Sequence, residues 1–148
     1  MPDSLGWRGN WGVIAPSTNT SVQPEYDDMR PRGITNHHVR IWIPDNPVHS
    51  DADFNKLMDD IRKEFDNAIL RVLTCNPDYI VMGMSAETFW DGLKQSIELR
   101  ERVKALTKLN VAMGSDASQA ALRCYGVKRI GVVTPYWPVG DKNVKKFF

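Results

Sequence analysis

Cysteine is scarce: Cys75 and Cys124 are the two in 148 residues. Two thiols make no disulfide framework, and their spacing holds no metal pattern. No apolar run approaches the roughly 20 residues that a membrane span needs. Nor does one sign of charge dominate, since 19 basic residues face 18 acidic ones for a net charge of +1. Such a balance supplies no field for attracting nucleic acid or an anionic membrane. There is no Gly-x-Gly-x-x-Gly and no Walker-type loop, which argues against a nucleotide cofactor. The start, Met1-Pro2-Asp3-Ser4, lacks the basic and then apolar regions of a signal peptide, so the expected location is cytoplasmic. No linker or low-complexity segment divides the chain.

What is present is a short phrase given twice. Gly12-Val13-Ile14-Ala15-Pro16 and Gly131-Val132-Val133-Thr134-Pro135 are both β-branched runs that stop at a proline. Each is followed by polar residues suited to starting a helix. This repeat predicts two similar α/β lobes facing each other, the second holding only one strand and the first turns of one helix. The expected organisation is an N-terminal α/β lobe over residues 1–114. Residues 115–148 would then be a connecting helix and the start of a truncated second lobe.

Between the two phrases, strand and helix patterns alternate. Residues 1–10 read as a loose lead-in and residues 12–15 as a buried strand. A short helix is expected over Val22–Met29, with Pro24 in its first turn, where a missing N–H is harmless. Residues 38–43 read as a second strand. Ser50 and Asp53 have capping-box-like spacing. Phe54, Leu57, Met58, Ile61, Phe65, Ile69, Val72 and Leu73 then form one apolar helical stripe. Tyr79–Met82 is a third strand, and Leu93, Ile97, Val103 and Leu106 mark another helix. Val111–Met113 is a fourth strand, broken by Gly114. Ser115 or Asp116 would cap a helix carrying Ala117, Ala120, Ala121, Cys124 and Tyr125 on one face, with Gly126 in the left-handed position that ends it. A fifth strand is expected over residues 128–133. A helix over 141–148 would carry Val144, Phe147 and Phe148 with little to pack against. Continuous apolar strands alternating with helices predict an α/β fold, a parallel sheet covered on both faces.

Ligands of such sheets bind beyond the carboxyl ends of the strands. Three loops leave those ends, over residues 16–21, 83–92 and 134–140. They hold Ser17, Thr18, Asn19 and Thr20; Ser85 and Thr88; and Thr134 and Tyr136. Hydroxyls, amides and nearby helix N-termini suit a small carboxylate or phosphate. The same residues would equally serve as caps and turns.

These motifs resemble the aspartate/glutamate racemase superfamily. Pro16-Ser17-Thr18-Asn19-Thr20, Tyr79-Ile80-Val81-Met82-Gly83-Met84-Ser85 and Val133-Thr134-Pro135-Tyr136 come closest to its maleate cis-trans isomerase and arylmalonate decarboxylase branch. The resemblance runs in order along nearly the whole chain. It implies two pseudo-symmetric lobes and a cofactor-independent reaction beside a carboxylate, through an enediolate held in a dioxyanion hole. By that resemblance Pro16, Ser17, Asn19, Gly83, Met84, Ser85, Thr134 and Tyr136 bind substrate, and Ser85 and Tyr136 stabilise the oxyanion. Gly83 stands where racemases and isomerases carry the first-lobe cysteine. That departure leans towards the decarboxylase, which relies on one second-lobe cysteine, expected beyond Phe148. Met84, Phe89 and Trp90 would line a pocket for the substituent. The implied partner is a small dicarboxylate, with no nucleic acid and no membrane; a homo-oligomer is left open. Alternatives are a maleate isomerase, an amino-acid racemase, or an anion-binding α/β domain without turnover. The fragment by itself is expected to be inactive.

The remaining candidates have bland readings. Cys75 and Cys124 read as core or inert thiols. Adjacent His37 and His38 point to opposite faces of a strand, and His49 precedes a helix cap, so no metal-binding trio converges. Glu87 and Asp91 are candidate acids or bases, with solvation or capping as the plainer role. Lys142, Lys145 and Lys146 read as the solvated face of a helix.

Overall fold

The structure, a computed structural model, describes residues 4–148. Residues 1–3, which entered the reading of the N-terminus, lie outside the described residues. Four parallel strands form one sheet in the order β2-β1-β3-β4. They are β1 (Gly9–Pro16), β2 (Ile34–Ile41), β3 (Tyr79–Met82) and β4 (Val111–Met113). The helices are α1 (Val22–Met29), α2 (Asp51–Leu73), α3 (Ala86–Phe89), α4 (Leu93–Thr107), α5 (Gly114–Cys124) and α6 (Pro138–Phe147). The expected α/β class holds.

Two ends differ from the sequence reading. β1 begins at Gly9, inside the supposed lead-in, because Gly9 and Asn10 pair with Ile34 and Thr35. β2 therefore runs four residues earlier than expected and stops at Ile41. Beyond it the Ile43 N–H goes to the Ser17 hydroxyl, 2.9 Å away, rather than to a strand.

The core lies on one face of the sheet, where α2 and α4 cover Ile14, Ile80, Met82 and Met113. The Ser50 hydroxyl accepts from the Asp53 N–H at 3.1 Å and so starts α2. Its buried stripe is Met58, Ile61, Phe65, Ala68, Ile69 and Val72. α4 buries Ser96, Val103 and Thr107, not the expected Leu93, Ile97 and Leu106, which are exposed. Those polar residues are tolerated inside because they are bonded. The Ser96 and Ser115 hydroxyls lie 3.4 Å apart, and the Thr107 hydroxyl donates to the Val103 carbonyl at 2.8 Å.

The second half departs further. Helix α5 starts at Gly114 with no side-chain cap. Asp116 instead accepts from Arg100 at 3.0 Å. Its supposed apolar face is exposed, Cys124 included, because no element lies over it. Gly126 does end it, at φ +63°. The Gly126 N–H donates to Arg123 and the Val127 N–H to Leu122, both at 3.0 Å, the paired bonds of a Schellman turn. The fifth strand does not form. Residues 127–133 have no regular structure and Val133 is fully exposed, since among the described residues no strand pairs with them. α6 starts at Pro138 rather than 141, and it is far from unsupported. Val144 and Phe147 enter the core, and the Val139 N–H donates to the Asp51 carboxylate at 3.1 Å.

Candidate active site

The chain runs from β1 outward to β2, then returns past β1 to β3 and β4. In open parallel sheets the ligand crevice lies at such a reversal, here between the loops after β1 and β3. Pro16 and Met82 end the two strands there.

The first loop is a turn closed by the Asn19 N–H on the Pro16 carbonyl at 3.1 Å. Ser17 is spent on β2: its N–H donates to Ile41 at 2.8 Å and its hydroxyl accepts from Ile43. Asn19 Oδ1 accepts from the N–H groups of Ser21 at 3.0 Å and Val22 at 2.9 Å. Asn19 thus performs the capping that Ser21 does not. Two backbone donors fix which end of its amide is oxygen, and Nδ2 keeps no partner among the described residues. Capping and ligand binding are therefore compatible at this residue.

The second loop begins at Gly83, whose N–H donates to the Ile14 carbonyl at 2.7 Å. A Cβ there would lie 2.9 Å from Val22 Cγ1 and 3.2 Å from the Ile14 carbonyl oxygen. Glycine is required by space, because the site is packed between β1 and α1. Met84 packs against the core and Ser85 is exposed. The Ser85 carbonyl accepts from the Thr88 hydroxyl at 2.7 Å, and Thr88 is fully buried.

The third loop crosses over the second. Tyr136 OH and Ser85 Oγ lie 2.6 Å apart. The Tyr136 ring packs 5.5 Å from Phe89 and 6.1 Å from Phe54, which stacks on Trp90 at 5.5 Å. Thr134 donates to the Asp141 carboxylate and accepts from the Tyr136 N–H at 3.3 Å, so it caps the approach to α6. Asp91 is tied to the same helix, its N–H donating to Asn143 at 3.0 Å.

Of the residues singled out in the sequence, Ser85 and Tyr136 come into direct contact. Ser17 and Asn19 line a shallow cavity of about 490 Å³ with Thr20, Gln23, Pro24, Asp27 and Arg40. Thr134 lines another, of about 520 Å³, with Ile130, Val132 and Phe148. Phe89 is buried against Tyr136, while Trp90, stacked on Phe54, borders a different cavity of about 400 Å³ with Arg62, Glu87 and Arg102. Two residues of weight escaped the sequence reading: Phe54, hidden in the α2 stripe, and Arg40, a lone cation inside a strand.

The other titratable groups lie elsewhere. Cys75 sits where α2 hands over to β3, at the opposite end of the strands, and burial pushes its thiol up. Glu87 turns towards α2, accepting from Arg62 Nε at 3.1 Å, with its side chain 10% exposed and Oε2 unpartnered. Burial raises its carboxyl above the ordinary 4.5 despite the Arg62 charge. His38 is under α1 with both ring nitrogens buried and unpartnered. Burial lowers its imidazole below 6.5, opposed by Asp27 and helped by Arg40 and His37. Among the described residues no three His, Cys, Asp or Glu side chains are grouped to hold a metal. No helix is long and apolar enough to cross a membrane.

The two shifts give opposite pH slopes. Folded His38 resists the proton that the unfolded chain takes up, so its contribution is full above 6.5 and is lost as pH falls below that value. Glu87 favours the proton when folded, so its contribution is full below 4.5 and is lost as pH rises past it. Denaturant unfolding at several pH values is expected to show His38→Leu without the loss of stability between pH 7 and 5. At neutral pH the same variant should be more stable by about 1 kcal/mol, since two unsatisfied buried nitrogens are removed. Glu87→Gln should gain on wild type as pH rises from 4 to 7. A wild-type pH slope retained in His38→Leu would assign the acid sensitivity to another group.

No protein-family model matches the sequence, and no curated protein matches it. Solved structures do match in fold. A maleate cis-trans isomerase of Nocardia farcinica, bound to Tris, superposes with a TM-score of 0.76 at 16% identity, over 93% of this chain and 57% of that one. A maleate isomerase of Pseudomonas putida S16 gives 0.73 at 20% identity, over 91% and 56%. Arylmalonate decarboxylase gives 0.68 at 16% identity, over 93% and 56%. The fold is that of these enzymes, as the three loop motifs led one to expect. The chain spans a little over half the length of each.

Proposed function

We propose that this chain provides the first lobe of a cofactor-independent enzyme acting on a small dicarboxylate, with residues 115–148 beginning the second lobe. The observation that carries the reading is the approach of Ser85 Oγ and Tyr136 OH to 2.6 Å at the mouth of the crevice. As bonded, the pair has one hydroxyl proton to spare; a carboxylate that replaces their mutual bond would take a proton from each, and their pull strengthens as charge builds there. Asn19 Nδ2 would hold the second carboxylate from the other wall.

Decarboxylation of an arylmalonate fits this donor set. The C–C bond to one carboxylate breaks, CO2 leaves, and the electron pair moves into the remaining carboxylate as an enediolate. Ser85 and Tyr136 stabilise that dianionic oxygen pair, and a proton delivered to the α-carbon completes the reaction. Neither Cys75 nor Cys124 is placed to supply it, so the donor would be a thiol not contained in these 148 residues. Gly83, where an isomerase or racemase would place a first thiol, favours decarboxylation over those alternatives.

Calorimetric titration with phenylmalonate tests the site. Ser85→Ala and Tyr136→Phe are each expected to weaken binding about tenfold, the worth of one hydrogen bond to a charged group. Undiminished affinity in Ser85→Ala would place the ligand elsewhere. A second reading, an anion-binding domain without turnover, is favoured by the internal bonds of Ser17 and Thr134. CO2 release that is lost on thiol alkylation, measured with the second lobe present, decides for the enzyme. Tight binding without release decides for the domain.

A further inference from the structure

Arg40 stands opposite Ala15 in the β1–β2 register, one residue short of the first loop. Its Nη1 donates to the carbonyls of Asn19 at 2.7 Å and Pro16 at 3.3 Å, and Nη2 donates to Gln23 Oε1 at 2.9 Å. Among the described residues it forms no ion pair, and its hydrogen bonds all go to neutral acceptors, although Asp27 lines the same cavity. We propose that Arg40 is the positioning residue of this loop, acting through Asn19 to keep donors open for a carboxylate. The proposal deepens the dicarboxylate reading and rests on it for the identity of the ligand.

Arg40 draws the loop's carbonyls at residues 16 and 19 to itself, and Asn19 Oδ1 is held by the start of α1. The N–H groups of Thr18 and Thr20 and Asn19 Nδ2 remain without a partner among the described residues, as do the Thr18 and Thr20 carbonyls, while the carbonyls on either side of Asn19's own turn are occupied. A loop left with spare donors above a guanidinium suits a ligand that only accepts. Lysine could not substitute, because an ammonium lacks the planar fork that spans two carbonyls and Gln23 at once.

The test combines nitrogen-15 NMR with phenylmalonate titration. In Arg40→Gln the hydrogen-bonded amides of Asn19, Ser21 and Val22 should exchange at least tenfold faster and the Asn19 side-chain NH2 signals should shift. Phenylmalonate affinity should fall at least tenfold, with little recovery in Arg40→Lys. Asn19→Asp keeps the cap oxygen but removes the donor; in that background Arg40→Gln should cost no further affinity. An independent loss there would mean that Arg40 touches the ligand itself and would overturn the positioning role. So would unchanged exchange at Asn19, Ser21 and Val22. If wild type fails to bind phenylmalonate while Arg40→Gln still loosens the loop, the dicarboxylate reading falls and the positioning role stands.

Discussion

Phe147→Ala is expected to release α6 from the lobe, to lower stability by about 3–4 kcal/mol, and to part Tyr136 from Ser85. Phe147 is 4% exposed and belongs to the same core as Phe65 and Ile69, although it lies at the far end of the chain. Domains of this kind are held by only about 5–15 kcal/mol in total, so one truncated ring is a large share. Phe147, Val144 and two polar ties, Val139 to Asp51 and Asp91 to Asn143, hold the helix. Residues 134–137 lead straight into it and carry the tyrosine over Ser85. Losing the anchor should therefore weaken phenylmalonate binding as much as Tyr136→Phe does. Denaturant unfolding and amide exchange across α6 measure the two effects separately. Phe148→Ala serves as the control: at 51% exposure its loss should stay within about 0.5 kcal/mol. A Phe147→Ala protein with wild-type stability would mean that α6 does not dock in solution.

The residues that were legible in the sequence share one property, which is that their signal is local. Ser50 with Asp53, Pro24, and the apolar runs of β3 and β4 state their structure within a few residues. So does Gly126, whose left-handed backbone closes α5 as its spacing led one to expect. The failures are relational. Ile130, Val132 and Val133 have strand composition, yet a strand exists only beside a partner, and none adjoins them. α4 shows its leucines to solvent and buries Ser96 and Thr107, because hydroxyls that find partners can be buried at little cost. The final helix looked unsupported because its support comes from α2 and α3, far back in the sequence.

The site divides in the same way. Ser85 and Tyr136 stood out as hydroxyls beyond strand ends, and they meet. Ser17 and Thr134 stood out equally, and the fold uses them as internal fasteners. Arg40 gave no signal at all, since one cation between Val39 and Ile41 looks like an edge-strand charge facing water. Only the turn of residues 16–19 shows what it holds.

Gly83→Cys carries the other large effect, and two demands meet there. Chemically, it would give the crevice the first-lobe thiol that the resemblance to racemases leads one to seek. With Val22 at the first position of α1, a thiolate would find a favourable helix N-terminus. Physically, the new Cβ would sit 2.9 Å from Val22 Cγ1, 3.1 Å from Val13 Cγ1 and 3.2 Å from a backbone oxygen. Valine tips are stiff, and the β1 backbone cannot yield without disturbing the sheet. Overpacking of this sort costs about 1–3 kcal/mol. For a chain of this size that corresponds to a fall in Tm of about 4–8 °C for the middle of the range. Calorimetry should show that fall, and Val22→Ala added to Gly83→Cys should recover part of it by vacating the nearest contact. A Gly83→Cys protein as stable as wild type would show that the space is there. The glycine would then mark a choice of chemistry rather than a limit of packing. If the fall is seen and Val22→Ala relieves it, a first-lobe thiol requires α1 to move, and the glycine is a limit of packing.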